Sequence, residues 1–214
     1  MVAGSWFHFK VAVAFTTLSL LLIVALSLGR AFADETCQSP YMAKITSIED
    51  FVYVWTLGDK DVGDGSDKLV TIDVRPDSAT YGKVVHSLSV GGRNEAHHAG
   101  LTDDRRFLWA GGLDTSKIFI FDLATDPAKP RLHRTITDFV DRSGGVIGPH
   151  TFYALPGRML ISGLSNDKDH GGRTALVEYN NAGDYVATYW IPTAGDPQGA
   201  RVERIADGMG YDVR

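Results

Sequence analysis

The chain has 214 residues, 44% of them hydrophobic, and a formal charge of −5, an ordinary balance for a globular protein. The acidic balance makes the chain a poor candidate for nucleic acid or anionic lipid, which want clustered Lys and Arg. A single cysteine, Cys37, excludes any intramolecular disulfide.

In chain order, Lys10 is the only charge before Arg30, and residues 11–28 form an apolar run. Ala31-Phe32-Ala33 then supplies the small-x-small pattern of a signal peptidase site. The pattern predicts a signal peptide over 1–33, cleavage before Asp34, and export to the periplasm. The alternative is an uncleaved anchor, because the run approaches the length that spans a bilayer. Removing 1–33 takes away two positive charges and leaves the remainder, 34–214, more acidic. Cys37 is then a lone exported thiol that is reactive, a ligand, or paired with another chain.

Residues 51–57, 69–74 and 83–90 are β-branched and aromatic runs and read as three strands. A glycine-bearing loop separates the first two, and the proline turn Arg75-Pro76-Asp77-Ser78 separates the second from the third. A β-hairpin follows in NEAHHAGLTDDRRFLWAGGL, residues 94–113, with His97 and His98 at its entrance. Its outline returns at residues 150–163, HTFYALPGRMLISG. A gapless shift of 52 lays His98 on His150, Arg106 on Arg158, Leu108 on Leu160 and Gly111 on Gly163. Residues 117–123 likewise match 68–74, and 131–136 match 83–88. A third copy continues through 174–179 and 185–191.

Each copy is about fifty residues and four short strands, the period of a β-propeller blade. The expected fold class is therefore all-β, a propeller. The first copy shows no opening strand, and a further copy begins near Gly210-Tyr211-Asp212-Val213. The expectation is an N-terminal portion of about three blades, with open edges that would aggregate if the piece were made alone.

The first strand of a blade lines the central channel, so His98 and His150 should converge. Neutral imidazole is a good ligand for copper or zinc. Polar residues lining a wet channel also commonly bond only to water, and that plainer role stands beside ligation. His97 can join His98 only if the strand entrance is bulged, because neighbours on a regular strand face opposite ways. His86 and His133 also match in phase, but on outer strands among charges, where they should face solvent. His170 lies in a polar loop that reads as a solvated turn rather than a cover for the channel. Asp103-Asp104 reads as a turn feature, and Phe119 and Phe121, alternating with Ile118 and Ile120, as packing between blades. Gly91-Gly92-Arg93 precedes no helix and is not a phosphate loop. No Ser-His-Asp arrangement is readable.

GGRNEAHHAG, LWAGGLDTSKIFIFDLATDPAKPRLH and GPHTFYALPGRMLISGLSNDKDHGGRTALVEYN together resemble the methanethiol oxidase family, also called the selenium-binding protein family. The resemblance spans nearly all of the chain after residue 33. It implies a seven-bladed propeller and, for the bacterial type, an exported copper-dependent enzyme. That enzyme converts methanethiol, O2 and water to formaldehyde, hydrogen sulfide and hydrogen peroxide. It further implies that His97, His98 and His150 belong to the histidine set around the metal, with the remaining ligands beyond Arg214. Two departures stand out. Cys37 is followed by Gln38-Ser39-Pro40-Tyr41 where relatives commonly have Gly-Pro-Gly-Tyr, and Thr56-Leu57-Gly58 stands where the animal proteins carry a selenium-associated cysteine. The rival readings are a non-catalytic propeller that binds selenium, a metal or a protein, and a propeller hydrolase with a hard cation. Hard cations prefer oxygen ligands, which the histidine-rich entrance does not offer. Oligomeric state and the exact thiol are left open.

Overall fold

The computed structural model describes residues 39–45, 48–166 and 172–193. Residues 1–33, Cys37, His170 and residues 210–213 lie outside them.

Three antiparallel meanders account for the strands. The first sheet contains β1 (Phe51–Thr56), β2 (Lys68–Asp73) and β3 (Val84–Ser89). The second contains β4 (Ala96–Leu101), β5 (Phe107–Gly112), β6 (Lys117–Asp122) and β7 (Arg131–Ile136). The third contains β8 (Ile147–Leu155), β9 (Arg158–Ser165), β10 (Ala175–Asn180) and β11 (Tyr185–Trp190). Each sheet keeps its strands in chain order, so each is one blade. The first has three strands because nothing among the described residues precedes β1 in it, as the missing opening strand of the first copy led one to expect. A five-residue helix, α1 (Phe139–Ser143), joins the second and third blades and was not foreseen.

The alternation in KIFIFD explains how the blades stack. Phe119 and Phe121 point to one face of β6 and join Leu69, Leu108, Ala110 and Leu123 in a core against the first blade. Ile118 and Ile120 point to the other face and join Trp109, Met159, Ile161, Val177 and Tyr179 in a core against the third. With both faces covered, β6 reads as a nearly continuous apolar run. Each such side chain contributes about 1.5–3 kcal/mol when fully buried. Trp55 of β1 crosses the first interface. Its ring lies 5.6 Å from Phe119 and 5.8 Å from Phe121, and its Nε1–H donates to the Gly111 carbonyl at 3.0 Å.

In each blade the strand before the outermost one (β2, β6 and β10) ends on an Asx residue that organises the following turn. Buried Asp73 accepts the Arg75 guanidinium at 2.7 Å and the hydroxyls of Ser78 and Thr80 at 2.6 and 2.5 Å. Asp122 accepts the amides of Ala124 and Thr125, and Asn180 accepts the amide of Asp184. A short side-chain acceptor that can reach its own downstream backbone is what such a turn needs.

Candidate metal centre

The innermost strands β4 and β8 belong to neighbouring blades, and small residues set how closely they approach. A Cβ placed on Gly100 would sit 2.7 Å from the Phe152 carbonyl, and one on Gly111 would sit 2.7 Å from the Pro149 carbonyl. Only glycine permits both contacts. They seat the entrance of β8 directly against the second blade, one residue before His150.

Both entrances are bulged. Ala96 faces Gly112 while Ala99 faces Ala110, so His97 and His98 together stand opposite Gly111. Pro149 faces Gly163 while Phe152 faces Ile161, so His150 and Thr151 stand opposite Ser162. A two-against-one bulge breaks strict alternation and re-aims side chains. This is the irregularity that His97 required in order to share a side with His98. In the third blade the Thr151 amide donates to the Ser162 hydroxyl at 3.0 Å, and the Thr151 hydroxyl lies 3.3 Å from His150 Nδ1.

The three imidazoles meet. Ring centroids are 4.0 Å apart for His98 and His150, 4.7 Å for His97 and His150, and 4.8 Å for His97 and His98. One ring nitrogen from each lies within 4.8 Å of the others. His150 is wholly buried, His98 half-buried and His97 exposed, so the cluster has a closed floor and an open side. Nitrogens sharing one ion at about 2.0 Å are separated by up to about 4 Å, so small rotations would bring these three onto one metal. A borderline or soft transition ion suits three imidazoles better than a hard one.

The other candidates lie elsewhere. His133 is exposed, with its ring 5.0 Å from Phe107. His86 departs from the expected solvent-facing position: it is half-buried, and its Nε2 lies 3.2 Å from the Pro130 carbonyl of the second blade. Asp104 is the turn residue expected, accepting from the Thr102 hydroxyl and the Arg106 amide. Asp103 does more. It takes the Gly157 amide and the Asn181 side-chain amide of the third blade, and these bonds outweigh burial to hold its carboxyl below the usual carboxylate range. Sequence reasoning missed Gly100 and Ser162, although the phase match of Gly111 with Gly163 pointed to this region.

Comparison with known proteins agrees with the architecture. A methanethiol oxidase of Ruegeria pomeroyi is 68% identical over 195 residues, covering 89% of this chain and 45% of that protein. A methanethiol oxidase of a Hyphomicrobium species is 58% identical, covering 88% and 42%. The chain thus spans less than half the length of these curated relatives. A crystal structure of a hypothetical selenium-binding protein from Sulfolobus tokodaii superposes with a TM-score of 0.60 at 28% identity, over 71% of this chain and 37% of that one. Residues 31–198 match the model of the 56kDa selenium binding protein family, SBP56. With that match over most of its length and three blades in place, the chain is a β-propeller protein of the SBP56 family.

Proposed function

We propose that this chain is part of an exported, copper-dependent methanethiol oxidase, and that His97, His98 and His150 hold the copper. The observation that carries the reading is the meeting of three imidazoles, from bulges in two successive blades, within 4.8 Å. The names of the two bacterial relatives supply the substrate, and the leader pattern at 1–33 supplies the compartment.

The reaction balances as methanethiol, O2 and water giving formaldehyde, hydrogen sulfide and hydrogen peroxide. Copper bound here would offer the thiolate sulfur a soft ligand and give electrons a path to oxygen. The protein's part is positioning. Buried His150 is fixed by the bulge at Thr151 and by the approach of Pro149 to Gly111. Exposed His97 lies on the side from which a small thiol and O2 can enter.

His98→Ala and His150→Ala should each remove most of the copper bound per chain and the methanethiol turnover with it. The double variant should add little, because both residues serve one site. His133→Ala should retain both. Undiminished copper in both single variants would reject the assignment. A second reading, a non-catalytic selenium-binding propeller, draws on the name of a 32% identical Arabidopsis thaliana relative, Selenium-binding protein 2. Copper retained without any turnover of methanethiol would favour it.

A further inference from the structure

We infer that Asp67 and Ser116 are positioning residues for the histidine cluster, each reaching from one blade to hold the main chain that delivers the histidines of the next. The repeat makes the pair visible. Asp67 stands immediately before β2 and Ser116 immediately before β6, the same place under the match of 68–74 to 117–123. Both are buried.

Each side chain crosses to the following blade. Asp67, at the head of β2, accepts the Asn94 amide on Oδ2 at 2.9 Å, three residues before His97. Its Oδ1 accepts the Gly58 amide at 2.8 Å, so both oxygens are engaged and the side chain is held in one orientation. Ser116, at the head of β6, accepts the Gly148 amide on its hydroxyl oxygen at 3.1 Å, two residues before His150. Both histidine-bearing bulges are thus anchored, just upstream, on the preceding blade.

Little slack separates the first anchor from its histidines. The Asp67 amide donates to the Gly92 carbonyl at 3.0 Å, and the Val90 amide donates to the Asp67 carbonyl at 3.1 Å. Asn94 Oδ1 accepts the Thr115 hydroxyl at 3.1 Å, and the Leu113 amide donates to the Glu95 carbonyl at 2.9 Å. Glu95 has φ +64°, a conformation that a residue with a side chain keeps only where its surroundings impose it. His97 follows two residues later, so a shift at Asn94 is passed to the imidazoles rather than absorbed on the way.

The rival is that these bonds merely join blades. Asp103 shows what that simpler role looks like. It joins the second blade to the Gly157 amide and the Asn181 side chain of the third, at the far ends of β4 and β8. Asp67 and Ser116 act at the near ends, where the histidines are. The inference deepens the proposed metal site, and its consequence for metal affinity rests on that reading.

The test compares Asp67→Ala and Ser116→Ala with Asp103→Ala in the full 214-residue chain. Without metal, nuclear Overhauser contacts between the ring protons of His98 and His150 report their 4.0 Å approach. With copper titrated in, Kd and the electron paramagnetic resonance spectrum of bound Cu(II) report the same geometry. Urea unfolding ranks the variants by stability. A buried amide stripped of its acceptor shifts to find another partner. Asp67→Ala and Ser116→Ala should therefore each weaken the ring contacts, change the spectrum and raise Kd about 5-fold. Asp103→Ala should lower the unfolding midpoint and keep the ring contacts, spectrum and Kd of the unaltered chain. Where Asp67→Ala does not fold, Ser116→Ala, which loses a single oxygen, decides. Unchanged ring contacts in the folded variants overturn the inference. So does an equal change in Asp103→Ala, which would make the effect a general loosening of the blades. An unaltered chain that shows the ring contacts but binds no copper rejects the metal reading, and the ring contacts of the variants still decide the positioning.

Discussion

Gly111→Ala tests whether the packing between blades controls the histidine cluster. The new methyl would lie 2.7 Å from the Pro149 carbonyl and 3.3–3.4 Å from two ring carbons of Phe152. Ordinary contact begins near 3.4 Å, and the nearest atom is backbone, so β8 must move outward by about 0.7 Å. Overpacking of this kind costs about 1–3 kcal/mol. Because Pro149 precedes His150, the same movement draws His150 away from His98. If about half the strain is carried to the cluster, about 1 kcal/mol, metal affinity should fall about 5-fold. Gly157→Ala is the matched control. Gly157 has φ +70° with open space around it, so an alanine there costs about 1 kcal/mol through backbone conformation alone. Urea unfolding and equilibrium titration with copper or zinc, run on both variants, separate the effects. Equal loss of stability with unchanged affinity in Gly111→Ala would refute the coupling.

Asp73 makes stability depend on acid. Chiefly the Arg75 guanidinium, helped by Ser78 and Thr80, holds its carboxyl well below the usual range despite burial. A depressed folded value means the stabilisation is present above the unfolded value of about 3.9 and is lost as pH falls below it. Tm should therefore begin to drop near pH 4 and keep falling at lower pH, and Asp73→Asn should flatten that drop; an equal slope in the variant counts against the role. Ser162→Ala removes the acceptor of the Thr151 amide, a loss of about 1–3 kcal/mol for a buried donor. It should alter the absorption spectrum of bound copper, and Ser162→Thr should restore it; an unaltered spectrum in the alanine variant would show that the bulge holds His150 without it.

The blades were legible because their strands carry the signal in their own residues. β-branched and aromatic runs mark β1, β2 and β6, and the proline turn after β2 marks where that strand stops. The two-sided burial of β6 was readable from the unbroken alternation of Ile and Phe. The bulges were not readable, since a two-against-one step is a relation between a strand and its partner. Nothing in HHAG alone distinguishes it from regular alternation. The same holds for Asp103, whose turn position hid a bond to Asn181 seventy-eight residues away. His86 looked solvent-facing because its neighbours are charged, and only the docking of the second blade covers it. Helix α1 escaped because five residues are too few to show a helical period.

The cluster also ties two blades together, and this gives metal binding a thermodynamic signature. His97 and His98 belong to the second blade and His150 to the third, so only the docked arrangement presents all three to one ion. An ion that binds the docked state and not the unfolded chain stabilises it by RT ln(1 + [M]/Kd), about 2.7 kcal/mol at 100 times Kd. The closest ring pair, His98 with His150, is the one that crosses the interface. His150→Ala should therefore abolish the metal-dependent gain in urea stability altogether. His97→Ala keeps the crossing pair and should only reduce that gain. The measurement is the unfolding midpoint of each variant with and without copper, at fixed protein concentration. A full metal-dependent shift surviving in His150→Ala would mean that the ion does not bridge the blades, and the site would have to lie elsewhere in the chain.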